Sequence, residues 1–208
     1  MAEKLTFNAP LVDKKEILRY MGCKTPDENI LSLLEECLTE AMPTFSYAVS
    51  YSVYPIKYKK DISSDGLSKH LSDSDEIIIF AATIGVGIDR LISKYSRISP
   101  TKAVIFQAIG TERIEALCDI FCNEMKKKYG CITNRFSPGY SDWDIKDQKL
   151  IISVTDATKN LGICLNDSYL MSPSKSVTAV VGINDTETEE KNPCESCDNA
   201  GCIYRREL

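Results

Sequence analysis

The segment Glu76–Ile84, with the sequence EIIIFAATI, constrains the fold more than any other part of the chain. It is a continuous apolar run rich in β-branched residues, and it lacks the polar alternation of a strand with one face in water. Such a run is typical of a strand that is buried on both faces. We therefore expect it inside a sheet that other elements cover on both sides.

Apolar residues recur at helical intervals on either side of this strand. The predicted helices span residues 14–21, 27–42, 88–98, 101–129 and 144–154. The further predicted strands span residues 45–58, 131–136, 162–171 and 176–183. Residues 57–74 are polar, and Asp65-Gly66 within them indicates a turn. This order of elements predicts an α/β (α+β) fold with a twisted, mostly antiparallel sheet and flanking helices.

The composition changes after the last predicted strand. The chain has 208 residues, which suits one domain with an appendage. Beyond Asn184 it is polar and nearly free of aliphatic side chains. We predict an α/β domain over residues 1–183, with a helical N-terminal part to about residue 42. A Cys-rich C-terminal tail is predicted over residues 184–208.

Charge and hydropathy limit the classes of partner. The net charge of −5 argues against nucleic acid, because phosphate binding requires a basic face. The N-terminus has no apolar signal-peptide core, and the apolar runs are too short to span a bilayer. We expect a cytoplasmic protein without a membrane partner. The chain has nine cysteines, and neither this odd number nor a reducing cytosol favours a disulfide framework.

Three cysteines in the tail are spaced as metal ligands. Cys194, Cys197 and Cys202 supply three soft thiolates that can bind zinc or an iron–sulfur cluster. A metal would also order a tail that has too little apolar content to fold unaided. No fourth ligand is obvious in the sequence. The alternative is a set of free thiols on a flexible tail.

Two other patterns have simple structural interpretations. Gly85-Val86-Gly87 follows a strand and precedes a helix, but the third glycine of a dinucleotide site is replaced by Arg90. Close packing of strand against helix is therefore favoured. His70 is the only histidine and lies in a polar segment, so we expect an exposed side chain rather than a catalytic or metal-binding one.

The stretch NRFSPGYSDWD, residues 134–144, combines a Pro-Gly corner with side chains that suit a ligand. Arg135 can pair bidentately with a carboxylate, and Gly139 lets a ligand approach the main chain. The Tyr140 ring suits a sulfonium or an adenine edge. An amino-acid ligand would also need an acid for its ammonium, and Glu112 and Glu115 lie upstream on the long helix. The alternative is a plain surface turn.

Several segments together resemble a known family. They are RFSPGYSDWD, TKNLGICLNDSYLMSPSKSVTAVVGI, CESCDNAGCIYRR, AATIGVGIDRLI and AIGTERIEALCD. The chain is similar to the vitamin B12-dependent methionine synthase activation domain family, above all to its short, free-standing bacterial members. The Arg-x-x-x-Gly-Tyr element carries the greatest weight. Larger members have Pro-Ala-Cys-Pro after it, where this chain has Ser141-Asp142-Trp143-Asp144.

The resemblance implies a role in reactivation. Such a domain binds S-adenosylmethionine and docks on the cobalamin domain of a methionine synthase, or of another corrinoid protein. An electron from a donor such as flavodoxin or ferredoxin then supports reductive remethylation of the cobalamin. The reactive cobalt would belong to the partner, so no catalytic residue is expected in this chain.

Carried over by position, the resemblance also implies a ligand site. Arg135 would hold the carboxylate of S-adenosylmethionine, and Glu115 would hold its ammonium. Gly139 and Tyr140 would line the site, and the main chain near Phe136 and Ser137 would contact the adenosyl part. Two alternatives stay open: an accessory protein that transfers electrons through an iron–sulfur or zinc-binding tail, and a scaffold of the same fold that binds no ligand.

Overall fold

The computed structural model describes residues 1–56 and 64–184. Its strands are β1 (Glu3–Phe7), β2 (Tyr47–Pro55), β3 (Ser74–Thr83), β4 (Cys131–Ile132), β5 (Cys164–Leu165), β6 (Met171–Ser172) and β7 (Ser176–Asn184). Its helices are α1 (Lys14–Tyr20), α2 (Glu28–Ala41), α3 (Asp65–His70), α4 (Gly87–Ile98), α5 (Pro100–Tyr129), α6 (Gln148–Val154) and α7 (Ala157–Leu161). Short 3-10 helices occupy Met42–Thr44 and Ile145–Asp147.

The main sheet has the strand order β1-β2-β3-β7-β4, and each of these neighbouring pairs is antiparallel. The apolar run forms β3 in the middle of the sheet, where Ile78 pairs with Val53 on one side and with Val181 on the other. Strands β5 and β6 form a separate small hairpin. The predicted fold class, a mostly antiparallel sheet with flanking helices, is confirmed.

Both faces of β3 are buried, as the sequence predicts. Ile78, Phe80 and Ala82 join the large core that the sheet forms with α1, α2, α4 and α5. Ile77 and Ile79 face the opposite side, where a second core includes residues of α3 and α6. The sheet therefore lies between two layers of helices, with the long helix α5 entirely in one of them.

The N-terminal part differs from the prediction. Residues 1–42 contain α1 and α2, but also strand β1, which pairs along its length with β2. Only Leu5 and Phe7 of β1 are partly buried against the core. Two apolar residues in alternation are too weak a signal for a strand, so the pairing with β2 decides the conformation.

The Asp65-Gly66 pair is not a turn but the start of helix α3. The hydroxyl of Ser64 accepts a hydrogen bond from the N–H of Leu67 at 3.0 Å and caps the helix. The structure also differs from the single strand predicted over residues 162–171. This segment contains the two-residue strand β5 and a loop that leads into β6. Helix α7 precedes it and ends at Gly162 in the left-handed conformation.

The predicted domain boundary lies next to the end of β7. This strand ends at Asn184, whose side-chain oxygen accepts a hydrogen bond from Ser74 at 2.5 Å. The tail beyond it lies outside the described residues, so its separation from the domain stays a prediction. Within residues 1–56 and 64–184, no helix combines the length and apolarity needed to cross a membrane.

Candidate functional site

The main chain around Arg135 is held against strand β7. Helix α5 ends at Tyr129, and Gly130, which follows it, has a φ of +85° that favours glycine. The N–H of Thr133 then donates to the carbonyl of Gly182 at 2.9 Å. Phe136 and Val180 exchange two main-chain hydrogen bonds of 3.0 and 2.8 Å. Arg135 therefore lies between two points at which the main chain is hydrogen-bonded to β7, and its side chain reaches α5.

The side chain of Arg135 binds two carboxylates of helix α5. Its Nη2 donates to Glu115 Oε2 at 2.8 Å, and its Nη1 donates to Asp119 Oδ1 at 2.7 Å. Residues four apart in a helix share one face, so both acids point the same way. The structure thus brings together Arg135 and Glu115, the two residues predicted to hold the ends of an amino acid.

The three side chains differ in their exposure to solvent. The Arg135 side chain is 25 % exposed, that of Glu115 40 % and that of Asp119 64 %. Burial alone would lower the pKa of the guanidinium, but the negative groups around it outweigh burial and raise the pKa above its ordinary value. Arg135 is therefore a permanent cation, and the cluster carries one carboxylate in excess.

Two thiols lie behind this cluster on the same helix. Burial raises the pKa of both the Cys118 and the Cys122 thiol. Both are therefore protonated at neutral pH, where they act as small apolar groups rather than as negative partners of Arg135. The charges that balance the guanidinium at neutral pH are those of the two carboxylates.

The other acid considered for the ammonium, Glu112, is not available to a ligand. It is buried on α5 and forms an ion pair with Arg113, whose side chain is fully buried. Arg113 also donates to the carbonyls of Pro10 and Leu11, each at 2.7 Å. The N–H of Asp13 donates to Glu112 Oε1 at 3.1 Å. This pair attaches the segment before α1 to α5. Of the two acids considered for the ammonium, only Glu115 therefore lies beside Arg135.

The Pro-Gly corner uses its own main-chain groups. Gly139 has a φ of +91°, and its N–H donates to the carbonyl of Trp143 at 2.8 Å. The N–H of Tyr140 donates to the carbonyl of Ser137 at 3.1 Å. These two amides are therefore engaged within the turn. The Tyr140 side chain, in contrast, is 68 % exposed and presents its ring to solvent.

Trp143 belongs to the interior, which the sequence did not indicate. It is 2 % exposed, and its ring stacks on Phe136 with centroids 6.0 Å apart. Its Nε1 donates to Asp147 Oδ2 at 2.7 Å. Phe136 also contacts the ring of His70, which is half-buried rather than exposed as predicted, and whose Nε2 lies 2.7 Å from the carbonyl oxygen of Asn134. Phe136 and Trp143 therefore support the turn from behind.

Asp142 fixes the far end of the turn to helix α3. Its carboxylate accepts hydrogen bonds from the Ser64 hydroxyl and the N–H groups of Asp65 and Gly66 at 2.7–3.0 Å. The hydrogen bond from Ser64, with those from the main chain, lowers the pKa of Asp142. A Cβ on Gly66 would lie 2.7 Å from Asp142 Oδ1, so a larger residue at this position would displace the carboxylate.

The Gly85-Val86-Gly87 segment serves close packing, as the sequence favoured. A Cβ on Gly87 would lie 2.4 Å from the carbonyl oxygen of Thr44, and one on Gly85 would lie 2.5 Å from Ser46 Oγ. Gly85 also has a φ of +82°. The two glycines let α4 start directly against the segment between α2 and β2.

The predicted metal ligands cannot be placed. Cys194, Cys197 and Cys202 all lie outside the described residues. In the part of the chain that the structure describes, no group of three or more histidine, cysteine or acidic residues is arranged to hold a metal ion. The zinc or iron–sulfur site therefore stays a prediction from the sequence.

One residue of the cluster was missed from the sequence. Asp119 lies one helical turn after Glu115, and the spacing of four residues was sufficient to place it on the same face of α5. The acids considered from the sequence were Glu112 and Glu115, and residues further along the helix were not considered. Asp119 is nevertheless bound to Arg135 as closely as Glu115 is.

Comparisons with known proteins concern the sequence family and the fold. The sequence model of the family described as "Vitamin B12 dependent methionine synthase, activation domain" matches residues 59–189. A solved structure described as "Crystal Structure of the MetH Reactivation Domain bound to AdoHcy" has a TM-score of 0.63 and 14 % sequence identity. The alignment covers 90 % of this chain and 80 % of that one, and the likeness is one of fold. A search of curated proteins found no match.

Proposed function

This chain belongs to the activation domain family of vitamin B12-dependent methionine synthase, and from that premise we propose that it is an activation component that binds S-adenosylmethionine. It would dock on a separate cobalamin-dependent methionine synthase, or on another corrinoid protein, and support reductive remethylation of the cobalamin. A donor such as flavodoxin or ferredoxin would supply the electron. The family match implies a cobalamin-binding partner; the ligand and the donor are part of the proposal.

One observation carries the ligand proposal: the guanidinium of Arg135 and the carboxylate of Glu115 lie side by side, 2.8 Å apart. The amino-acid end of S-adenosylmethionine has a carboxylate and an ammonium on the same carbon, so it needs a cation and an anion as neighbours. Arg135 offers a planar fork that matches a carboxylate, and Glu115 accepts from an ammonium. The residues present therefore fit this ligand.

The surrounding charge also suits a cationic ligand. The cluster has one guanidinium and two carboxylates, so it is negative as a whole. S-adenosylmethionine carries a sulfonium besides its ammonium and is positive as a whole. The exposed ring of Tyr140 offers an electron-rich face to the sulfonium or to the adenine. Ser137 would line the site through its side chain. Gly139 would line it through its exposed surface, because its amide already donates to Trp143.

The role of the chain in the reaction would be to position the ligand. S-adenosylmethionine supplies the methyl group, and the reactive metal belongs to the partner. Arg135 and Glu115 would fix the amino-acid end, and the two attachments of the main chain to β7 would keep Arg135 in place. Fixed charges that need no rearrangement favour a defined ligand orientation.

Isothermal titration with S-adenosylmethionine tests the ligand proposal. We expect binding by the natural chain and a loss of about 10-fold to 100-fold in affinity in Arg135→Ala, because a hydrogen-bonded charge pair is worth about 1.5–3 kcal/mol. Arg135→Lys keeps the charge and loses the fork, so its affinity should lie between the two.

Glu124→Gln is the matched control. Glu124 lies further along α5 and is paired with exposed Lys127, so the substitution removes a charge from the same helix without touching Arg135. Thermal unfolding of each variant shows that it is folded. A natural chain that neither binds S-adenosylmethionine nor gains thermal stability from it would support the ligand-free scaffold and refute the proposal.

A further inference from the structure

We propose that Asp119 is an internal competitor for Arg135, which a ligand must displace with its own carboxylate, so that Asp119 sets both the affinity of the site and its requirement for a carboxylate. The inference rests on the proposed function and deepens it. It assigns a role to a residue that neither the sequence motif nor the comparisons single out.

The contact itself identifies the competitor. Asp119 Oδ1 accepts a hydrogen bond from Arg135 Nη1 at 2.7 Å, which is the same type of charge-assisted contact that a ligand carboxylate would make. Glu115 takes the adjacent nitrogen, Nη2. A ligand carboxylate that binds Arg135 through Nη1, while Glu115 stays on Nη2, needs the position of Asp119 Oδ1. Binding at this end is therefore an exchange of one carboxylate for another.

Asp119 is the more easily displaced of the two acids. Its side chain is 64 % exposed, against 40 % for Glu115, so it returns to water at a smaller cost. Among the described residues, Arg135 is the only side-chain partner found for Asp119. Exposed ion pairs of this kind are worth little, which makes the exchange accessible to a ligand.

The charge balance permits the same exchange. Arg135 faces two carboxylates, one more than it needs for neutrality. When a ligand carboxylate replaces that of Asp119, Arg135 still has two anionic partners, and Glu115, which binds Arg135 through Oε2, would accept from the ligand's ammonium with its other oxygen. A ligand without a carboxylate cannot make the exchange and leaves Asp119 on Arg135. The site would therefore select amino-acid ligands over adenosyl compounds that lack the amino-acid end.

Titration of the Asp119→Asn variant with three ligands tests the proposal. The ligands are S-adenosylmethionine, S-adenosylhomocysteine and 5′-methylthioadenosine, of which the last lacks the amino-acid end. We expect the first two to bind about two- to fivefold more tightly than to the natural chain, as the loss of an exposed ion pair predicts. The affinity for 5′-methylthioadenosine should not change.

The controls separate competition from a general effect of charge. Glu124→Gln also removes a negative charge from α5, and it should leave all three affinities unchanged. Asp119→Ala removes the competing oxygen altogether and should tighten binding at least as much as Asp119→Asn. Thermal unfolding of each variant should stay close to that of the natural chain, because Arg135 keeps Glu115.

The outcomes are distinct. Tighter binding of the two amino-acid ligands, with 5′-methylthioadenosine unchanged, supports the proposal. Unchanged affinity overturns it, and so does weaker binding of S-adenosylmethionine with S-adenosylhomocysteine unchanged, which would make Asp119 a partner of the sulfonium instead. If the natural chain binds and Asp119→Asn does not bind more tightly, only this inference fails. If neither binds any of the ligands, the proposed function fails with it.

Discussion

Two aromatic side chains of the same turn should respond in opposite ways to substitution. Trp143 and Tyr140 are three residues apart, but Trp143 is 2 % exposed and Tyr140 is 68 % exposed. We expect Trp143→Ala to lower the free energy of unfolding strongly and Tyr140→Ala to leave it nearly unchanged. For the affinity for S-adenosylmethionine we expect Tyr140→Ala to have an effect, because the proposed function places the exposed ring beside the ligand.

The magnitude follows from the contacts of Trp143. The indole packs in the second core, stacks on Phe136 and donates from Nε1 to Asp147 at 2.7 Å. Replacing a buried tryptophan by alanine costs about 3–5 kcal/mol. Trp143→Phe keeps most of the packing and loses mainly the hydrogen bond, so we expect a loss of about 1–2 kcal/mol. Tyr140→Ala should change stability by less than about 0.5 kcal/mol.

Urea unfolding followed by far-ultraviolet circular dichroism measures these changes. Fluorescence is unsuitable because Trp143 is the only tryptophan in the chain. A lower midpoint with an unchanged slope reports a loss of stability. Since a domain is stable by only about 5–15 kcal/mol, Trp143→Ala should be plainly shifted. A shift below about 1 kcal/mol, or an equal shift in Tyr140→Ala, would refute the assignment of Trp143 to the interior.

Three further predictions concern charges and thiols. Glu112→Ala should cost about 3–5 kcal/mol in urea unfolding, because it strands a buried guanidinium, whereas the exposed Glu124→Ala should cost less than about 1 kcal/mol. The pKa of Asp142 is lowered in the fold, so its contribution to stability is present above its ordinary pKa and is lost as the pH falls through the folded value. The stability of Asp142→Asn, measured against pH, should lack this loss; a pH profile identical to that of the natural chain would contradict the prediction. Iodoacetamide should modify exposed Cys164 before buried Cys118, whose raised pKa keeps it protonated, as peptide mapping would show; the reverse order would contradict the placement of Cys118.

Long, strongly patterned segments of the sequence predicted their structure well. The run that forms β3 has enough β-branched residues to indicate a strand buried on both faces, and the structure places a core on each side of it. Helix α5 was predicted to within one residue at its start and ends at Tyr129 as expected. In both segments the local pattern and the tertiary contacts agree.

Short elements depended on contacts that the sequence does not reveal. Helix α3 has six residues, and the carboxylate that binds its first N–H groups belongs to Asp142, 77 positions from Asp65. Strand β1 is defined by pairing with β2 rather than by its own composition. Because these contacts join distant parts of the chain, local propensity carried no signal for them.

The candidate site was predictable only in part, because it also depends on contacts between distant parts of the chain. The motif identified Arg135, and the family resemblance selected Glu115 from the two acids considered upstream on α5. Helical spacing was sufficient to add Asp119, since it lies one turn after Glu115. The burial of Glu112 with Arg113 was not predictable, because nothing in the local sequence distinguishes Glu112 from the partly exposed Glu115. Which acid faces a ligand is decided by the packing of α5 against the segment before α1.

A crystal structure of the chain with S-adenosylmethionine would show directly how the ligand is held. We expect the ligand carboxylate on Arg135, its ammonium on Glu115 and the side chain of Asp119 turned away into solvent. The adenosyl part should lie along the turn beside Tyr140. A ligand bound elsewhere would refute the proposed site, and a ligand bound here while Asp119 keeps its hydrogen bond to Arg135 Nη1 would refute the role of Asp119.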